Sequence, residues 1–538
     1  MGEVLKISSI GANSPNFDLE ACNLPPEIFS YAKNYLVRDN EYRAFNTEQN
    51  IYIGAGTPTL PGYIDFIQKS PTEYFYLVGG STQVKVFDLL NWVDISNLAG
   101  YPVVAGFEDS WEGCKLGSIP VLTNYNAFPE YWSPQVTAQK MQDLKFDATT
   151  TWRAKNYKCK VIRSHLNFLF ALGLKEGSTE YPNAYRWSHP ADIGGLPFSW
   201  DELDTSTIAS KEFLDDEYII DGCSLRNEFA IYTNRGIHIL TYRGESETPF
   251  VRRKLSTTQS LIASKCVVEA AGSNYFLANG DILRTEGSVL VSVLDKRFKN
   301  FLKDSLSQTF FQNCYATVNS NTKEIWFFIV QYTNRYPNIA LVVNYNDNNV
   351  SIRDIQFGRT HACFGLVQDP NTVVEAWNTE STQIWPSNSQ PWNDNLATPF
   401  DYRIINCETN GIIETPEPLS NYINTLQFYG TVLERTNVQL DNTEGKTTIT
   451  RFTPQLSSTG KVKIEVGSHD FLDANVRWKP AVMFDPKVNR KVDIRTTGDL
   501  HAWRISSVGL DGFTLYGFDV VYETAGQRIG GFIPAVAR

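Results

Sequence analysis

Hydrophobic positions along the chain fall in short runs or alternate with polar ones, and Gly, Asn and Asp interrupt them at close intervals. Phe229 to Thr233 is followed by Asn234-Arg235-Gly236 and then by Ile237 to Tyr242, ending at Gly244. Asn-x-Gly between β-branched and aromatic runs is hairpin chemistry, because those residues tolerate the positive φ of a tight turn. The pattern recurs at Tyr275 to Leu277, Asn279-Gly280, Asp281 to Leu283, Glu286-Gly287 and Val289 to Val291. It returns at Glu324 to Val330, Ala340 to Asn344, the turn Asn346 to Asn349, and Val350 to Ile355. Near the carboxyl end, Lys461 to Gly467, Trp503 to Ile505 and Phe513 to Val520 alternate as half-buried strands do.

The fold class predicted is therefore mainly β. Strand-turn units spaced about 8–12 residues apart point to a β-propeller or stacked sandwiches, of which the propeller is taken. With roughly 40–50 residues per blade, the stretch from about Asn46 to Trp385 holds about six blades. The widely spaced cysteines, roughly a blade length apart toward the carboxyl end, are read as coincidence. Three parts follow: residues 1–45 as an extended docking segment, 46–395 as the propeller region with insertions, and 396–538 as an additional antiparallel, sandwich-like β domain. The linker is placed at Trp385 to Pro399, and an exposed hairpin tip at Asp441 to Gly445. One helix is expected over Lys296 to Leu306, capped by Asp295, with Phe298, Phe301, Leu302 and Leu306 on its buried stripe. Its other side carries Lys296, Arg297, Lys299 and Lys303, a solvated face whose alternative use is an anion or DNA contact.

Charge narrows the picture. The 538 residues carry a formal −11, which disfavours a sequence-reading DNA binder, since such domains cluster Lys and Arg on phosphates. No apolar run reaches the roughly 18 residues of a membrane helix, so no membrane span is expected. Met1 to Lys6 lacks an apolar segment of the kind that directs secretion. The eight cysteines (Cys22, Cys114, Cys159, Cys223, Cys266, Cys314, Cys363, Cys407) form no C-x-x-C pair and read as small buried hydrophobes in a reducing compartment.

Catalytic patterns are scarce. His165, His189, His238, His361, His469 and His501 are dispersed, without the spacing that brings two imidazoles to one metal, and His238 reads as a packing residue within a strand. Gly54-Ala55-Gly56 is followed by Pro58 and Pro61, not by the helix that would cradle a phosphate. Asp215-Asp216-Glu217 reads as a loop run and Asn346 to Asn349 as a turn; neither has the spaced oxygens of a calcium loop. No catalytic, cofactor or metal residue is assigned, and no enzyme activity is expected. A paired-carboxylate glycosidase is the reading that dispersed Asp and Glu leave open.

Two ordered sets of short motifs resemble a known family. The first is Leu24-Pro25-Pro26-Glu27-Ile28, Asn34 and Arg38-Asp39-Asn40. The second runs from Tyr185-Arg186-Trp187-Ser188-His189-Pro190-Ala191-Asp192 through Leu196 to Asp201. It continues with Ile219-Ile220-Asp221-Gly222, Leu225-Arg226-Asn227, Ile231 to Thr233 and Tyr242-Arg243-Gly244. With Val121 to Asn124, Phe128-Pro129 and Trp132, they are similar to the tail tube, or nozzle, protein of short-tailed bacteriophages, over roughly residues 20–305. The family often has Gly after the Arg-Asp pair; Asn40 stands here, which tolerates positive φ nearly as well.

The resemblance implies a structural virion protein on a β-propeller with added β domains. Six copies would form a homo-hexameric ring below the adaptor on the portal, in a tail assembled in the host cytoplasm. That ring would continue the DNA channel, retain and then conduct the genome at ejection, and offer docking surface to tail fibres or spikes. An acidic wall suits transient contact with double-stranded DNA, because it repels phosphate and lets the genome slide. The alternative is a carbohydrate-binding or glycan-degrading propeller, which needs paired carboxylates or exposed Trp in one pocket.

Overall fold

The computed structural model describes residues 2–524 apart from 9, 13, 53–55, 71–72, 89–90, 103–110, 136–138, 245–248, 356–357, 368–401, 418–426 and 442–444. The linker expected at Trp385 to Pro399, Gly54-Ala55 and the middle of the 441–445 segment lie outside the described residues.

The chain is mainly β, built from antiparallel sheets, and its helices are short. Six four-stranded antiparallel sheets, together with the strands Tyr315–Asn319, Glu324–Ile329, Ile339–Asn344 and Val350–Asp354 at one end of a ten-stranded sheet, give seven four-stranded units. Their first strands are Tyr63–Gln68 (unit I), Glu112–Leu116 (II), Tyr157–His165 (III) and Ile219–Leu225 (IV), then Val267–Ala270 (V), Tyr315–Asn319 (VI) and Arg359–Leu366 (VII). The first strands of units II to VII each touch the next in order, and that of unit VII touches that of unit I. Unit I meets unit II through Lys115 and Asp65, 2.9 Å apart.

This stacking explains the uninterrupted apolar runs. The second strands Tyr74–Gly79, Ser273–Ala278 and Glu324–Ile329 are buried at every position, because neighbouring units cover both faces. The predicted hairpin at Asn234-Arg235-Gly236 joins Glu228–Thr233 to Ile237–Tyr242, with Tyr232 opposite Ile237.

Unit VII is completed from the other end of the chain. Its strands Arg359–Leu366, Tyr402–Glu408 and Ile413–Thr415 take Gln49–Tyr52 as their fourth neighbour. Arg359–Leu366 pairs with Tyr402–Glu408 across the boundary expected at residue 395, so the sheet runs on to Thr415.

Residues 3–44, read in the sequence as an extended docking segment, are woven into the second body. Glu3–Ser8 pairs with Phe513–Thr524, and Tyr31–Lys33 with Val432–Val438. Tyr35–Arg38 and Glu41–Ala44 bridge unit VI to Phe513–Thr524. The turn between them has Asp39 and Asn40 at φ 55° and 61°, the conformation Asn40 was expected to accept. Two sheets enclose a core in which Phe518 lies 5.0 Å from Phe452 and 5.4 Å from Trp503, centroid to centroid. The described strands on either side of 441–445, Val432–Val438 and Thr447–Ser458, belong to different sheets.

The predicted helix is shorter, Lys299–Ser305. Asp295 and Lys296 have φ 39° and 60°, so the chain is still turning where the cap was expected. Asp18 does the capping: its carboxylate accepts from the N–H of Asn300 at 3.1 Å and of Phe301 at 3.3 Å. Arg297 is not on a solvated face. It donates to Asn348 O at 2.9 Å and Val293 O at 3.1 Å. Lys299 pairs with Asp281 at 2.9 Å, and Lys296 and Lys303 are exposed.

Candidate functional site

Where the first strands converge, they enclose a cavity of about 560 Å³ lined by residues that include Tyr63, Glu112, Lys115, Arg163, Lys265 and His361. Charged side chains placed there must be paired, because an isolated buried charge loses its hydration without compensation.

The pairing runs from unit to unit. Arg163 of unit III donates to Glu112 of unit II at 2.7 Å and to Asp221 of unit IV at 2.9 Å. The Lys265 N–H, just before unit V, donates to Asp221 at 2.9 Å, while its ammonium lies 3.9 Å from Glu112. The Lys265 carbonyl accepts from Ala316 N–H of unit VI at 2.8 Å. Between units VII and I, the Ile64 N–H donates to His361 Nδ1 at 3.2 Å, and His361 stacks on Tyr63 at 5.0 Å. Adding Lys115 to Asp65 gives a polar circuit in which side chains tie units I to V in order and unit VII to unit I.

The circuit sets its own protonation. Burial opposes the charge of Glu112, but Lys265 and Arg163 outweigh it and hold the carboxyl below its ordinary range. Burial dominates at Asp221, whose carboxyl is raised despite Arg163. Burial lowers Lys265. His361 is pushed down to about 3 by burial and by Lys265, so it is neutral. One guanidinium shared by two carboxylates, with a lysine beside the first, holds strands of units II, III and IV together. Lys265 adopts φ 64°, a left-handed conformation that Asp221 fixes through its N–H.

A second buried cluster closes unit VII. Glu48, just before Gln49–Tyr52, meets Arg353 at 2.7 Å and Arg359 at 3.5 Å. Arg359 also contacts Glu408 and Glu414, and the Tyr429 hydroxyl donates to Glu48. Burial is offset at Glu48 by the two arginines, which hold it low. Burial, with Glu48 and Glu408 nearby, raises Glu414 to about 9 against the pull of Arg359. A proton on Glu414 leaves two cations facing two anions.

The remaining histidines are bonded locally. His165 Nδ1 lies 2.8 Å from Ser224 Oγ, and His189 Nδ1 accepts from Ile208 N–H at 3.3 Å. His501 Nε2 lies 2.6 Å from Thr447 Oγ1, and His469 Nδ1 lies 2.8 Å from Phe471 O. His238 is more than a packing residue: it sits 2.9 Å from Glu217, which also holds Lys254 and accepts from Thr233 Oγ1 at 2.7 Å. Burial works against its charge, but these partners take Glu217 down to about 2, so the end of the supposed loop run is an internal anion. Asp216 beside it turns the chain at φ 47°. The Asn346 to Asn349 stretch is a turn, with Asn348 at φ 57° and Asp347 accepting from Asn349 N–H at 2.9 Å.

The cysteines are informative in a way their spacing alone did not reveal. All eight are free. Cys114, Cys159, Cys223 and Cys363 lie within first strands, and Cys266 and Cys314 directly precede first strands. From Cys114 to Cys363 the cysteines recur with the units, whereas Cys407 lies in the second strand of unit VII, beside the strand of Cys363.

The motifs that carry the resemblance are partly buried and partly at the surface: Asp39, Asn40, Asp192, Phe198 and Arg243 are exposed. Tyr185, Trp187 and Trp200 are buried, and Arg186 donates to Trp200 O at 2.8 Å. Asp221 belongs to the central circuit. Arg38 pairs with buried Glu324 at 2.5 Å. No group of three or more His, Cys, Asp and Glu fit to hold a metal occurs among the described residues, and no Trp among them is exposed. No protein-family model matches the chain, and no curated protein matches it.

Proposed function

We propose that this chain is a structural ring subunit, the tail tube or nozzle protein of a short-tailed bacteriophage. In this reading the seven units are the blades of a propeller, closed by Gln49–Tyr52, and the second body is a β sandwich clamped to it. Six copies surround the genome below the adaptor, conduct it at ejection and present surfaces for fibres or spikes. The chain performs no turnover.

The observation that carries this reading is the charge pairing in the central cavity, where Arg163 bridges Glu112 and Asp221. The charges of the cavity wall are spent on one another, which suits a rigid part and leaves little for a substrate. The ordered motifs from Leu24 to Gly244 support the family, and the −11 charge supports a wall that phosphate does not grip.

Labelling intact virions with antibody raised against the full chain tests the assignment. Label at the tail, below the portal vertex, is the expected result. Label confined to the infected-cell lysate, or turnover of host polysaccharide by the pure protein, overturns it in favour of the glycan reading.

A further inference from the structure

We propose that two surfaces of this chain, the loop 188–209 and the turn 485–491 with its flanking strand, bind each other between neighbouring copies. The contact deepens the ring reading and rests on it for closure, but the two surfaces are read from this chain alone.

The first surface is a rigid display. The loop joins Thr179–Trp187 to Ser210–Phe213 and is anchored from beneath by Trp200, fully buried and 5.0 Å from Trp152. Its turns are fixed locally: the Gly195 N–H donates to the backbone carbonyl of Asp192 at 3.0 Å, and the Leu203 N–H to the carboxylate Oδ1 of Asp201 at 3.1 Å. The Ser206 N–H donates to Asp204 Oδ1 at 3.0 Å. On that frame Ile193 is fully exposed, and Leu203 and Phe198 are largely exposed. The Ala191 N–H donates to Asn167 O at 2.8 Å, which brings the neighbouring hairpin tip alongside. That tip holds Leu166 at φ 51° and exposed, a conformation and an environment that both disfavour leucine. From His189 to Ala209 the loop has four acids (Asp192, Asp201, Glu202, Asp204) and no Lys or Arg.

The second surface has the opposite charge. Val482–Phe484 is an edge strand whose Phe484 is buried, leaving Met483 exposed. The chain then turns tightly, with Val488 N–H donating to Asp485 O at 3.0 Å and Asn489 N–H to the same oxygen at 2.7 Å. Val488 stands 77% exposed at the tip, between exposed Lys487 and Arg490. From Lys479 to Lys491 there are four basic residues and one acid. Lys479, Lys487 and Arg490 form no ion pair among the described residues, and neither do Asp192 and Asp204.

Each surface thus sets preorganised apolar side chains among unpaired charges of one sign, and the signs are complementary. Exposed aliphatic clusters ringed by charge mark association sites, with charge guiding the encounter and apolar burial holding it. Because the two patches are different parts of the chain, their contact is heterologous and propagates head to tail, the geometry that closes into rings.

The test uses the full chain, alone and assembled into tails. Asp192→Lys/Asp204→Lys and Lys487→Glu/Arg490→Glu are each expected to weaken self-association at least tenfold by sedimentation at low salt. Mixing the two variants is expected to restore association with each other. Independently, Ile193→Cys and Val488→Cys, on separate copies, are expected to form an intermolecular disulfide. If wild-type rings form and neither reversal affects them, this contact is wrong while the ring reading stands. If only one reversal weakens association and mixing restores nothing, a different partner covers that surface and the proposal is overturned. If the wild type associates in no condition, including the tail, the ring reading falls and this contact with it.

Discussion

The carboxylate of Glu48 meets the guanidinium of Arg353 at 2.7 Å, joining the residue that introduces the closing strand of unit VII to the last strand of unit VI. Arg353 is fully buried and Glu48 nearly so. Removing one partner from a buried pair leaves an uncompensated charge, which costs about 3–5 kcal/mol. Glu48→Gln is therefore expected to lower unfolding stability by about that amount in urea titration. A loss under about 1 kcal/mol would mean that the strand closes without this pair.

Glu414 carries the opposite pH signature. Its folded value, raised by burial to about 9, lies above that of an unfolded carboxyl. The proton-linked stability is therefore complete at acidic pH and is lost as pH rises toward 9. Glu414→Gln mimics the protonated form, and its stability is expected to stay flat from pH 5 to 9 while that of the wild type declines. A parallel decline in both would assign the pH dependence to other groups. Glu48, held low by its arginines after burial is overcome, has the reverse sign, its contribution fading as pH falls.

The two carboxylates that share Arg163 are not equivalent. Glu112 is held ionised by Lys265 and Arg163 against burial, whereas burial already biases Asp221 toward its neutral form. Glu112→Gln is expected to cost about 3 kcal/mol or more, and Asp221→Asn about 1 kcal/mol. Equal losses in paired denaturation curves would contradict this division.

The basic stretch before and within the short helix separates in the same way. Arg297→Ala removes bonds to Asn348 O and Val293 O and is expected to destabilise by about 2 kcal/mol. Lys296→Ala and Lys303→Ala are surface changes, expected within about 0.5 kcal/mol. Genome retention should be unaffected by either lysine substitution. Particles that assemble normally but leak DNA would identify those lysines as a brake.

Much of the strand pattern was legible because it is local. Asn234-Arg235-Gly236 announces a hairpin by its own turn chemistry, and Lys461 to Gly467 announces a strand by alternation. The closure of unit VII was not legible, since Gln49–Tyr52 is a short polar-apolar mixture whose partner, Ile413–Thr415, lies far along the chain. The helix cap was misplaced because a plausible Asp295 stood next in sequence, while the acid that serves, Asp18, arrives through tertiary folding. Glu112, Lys115 and Arg163 carry no local signal of their role, because their partners lie in other units. The face they occupy turns toward a narrow centre that only the circuit of seven sheets creates. One signal was present and undervalued: the recurrence of cysteine at the interval of the units.

The central claim is that this chain works as a ring of six copies around duplex DNA, and native mass measurement of the isolated tail, with electron microscopy of the same particles, tests it most directly. The account predicts a component of six times the 60.8 kDa chain mass, with sixfold symmetry and a lumen wide enough for duplex. A stable monomer with no place in the tail, or a ring whose only passage is the cavity within each subunit, would contradict it.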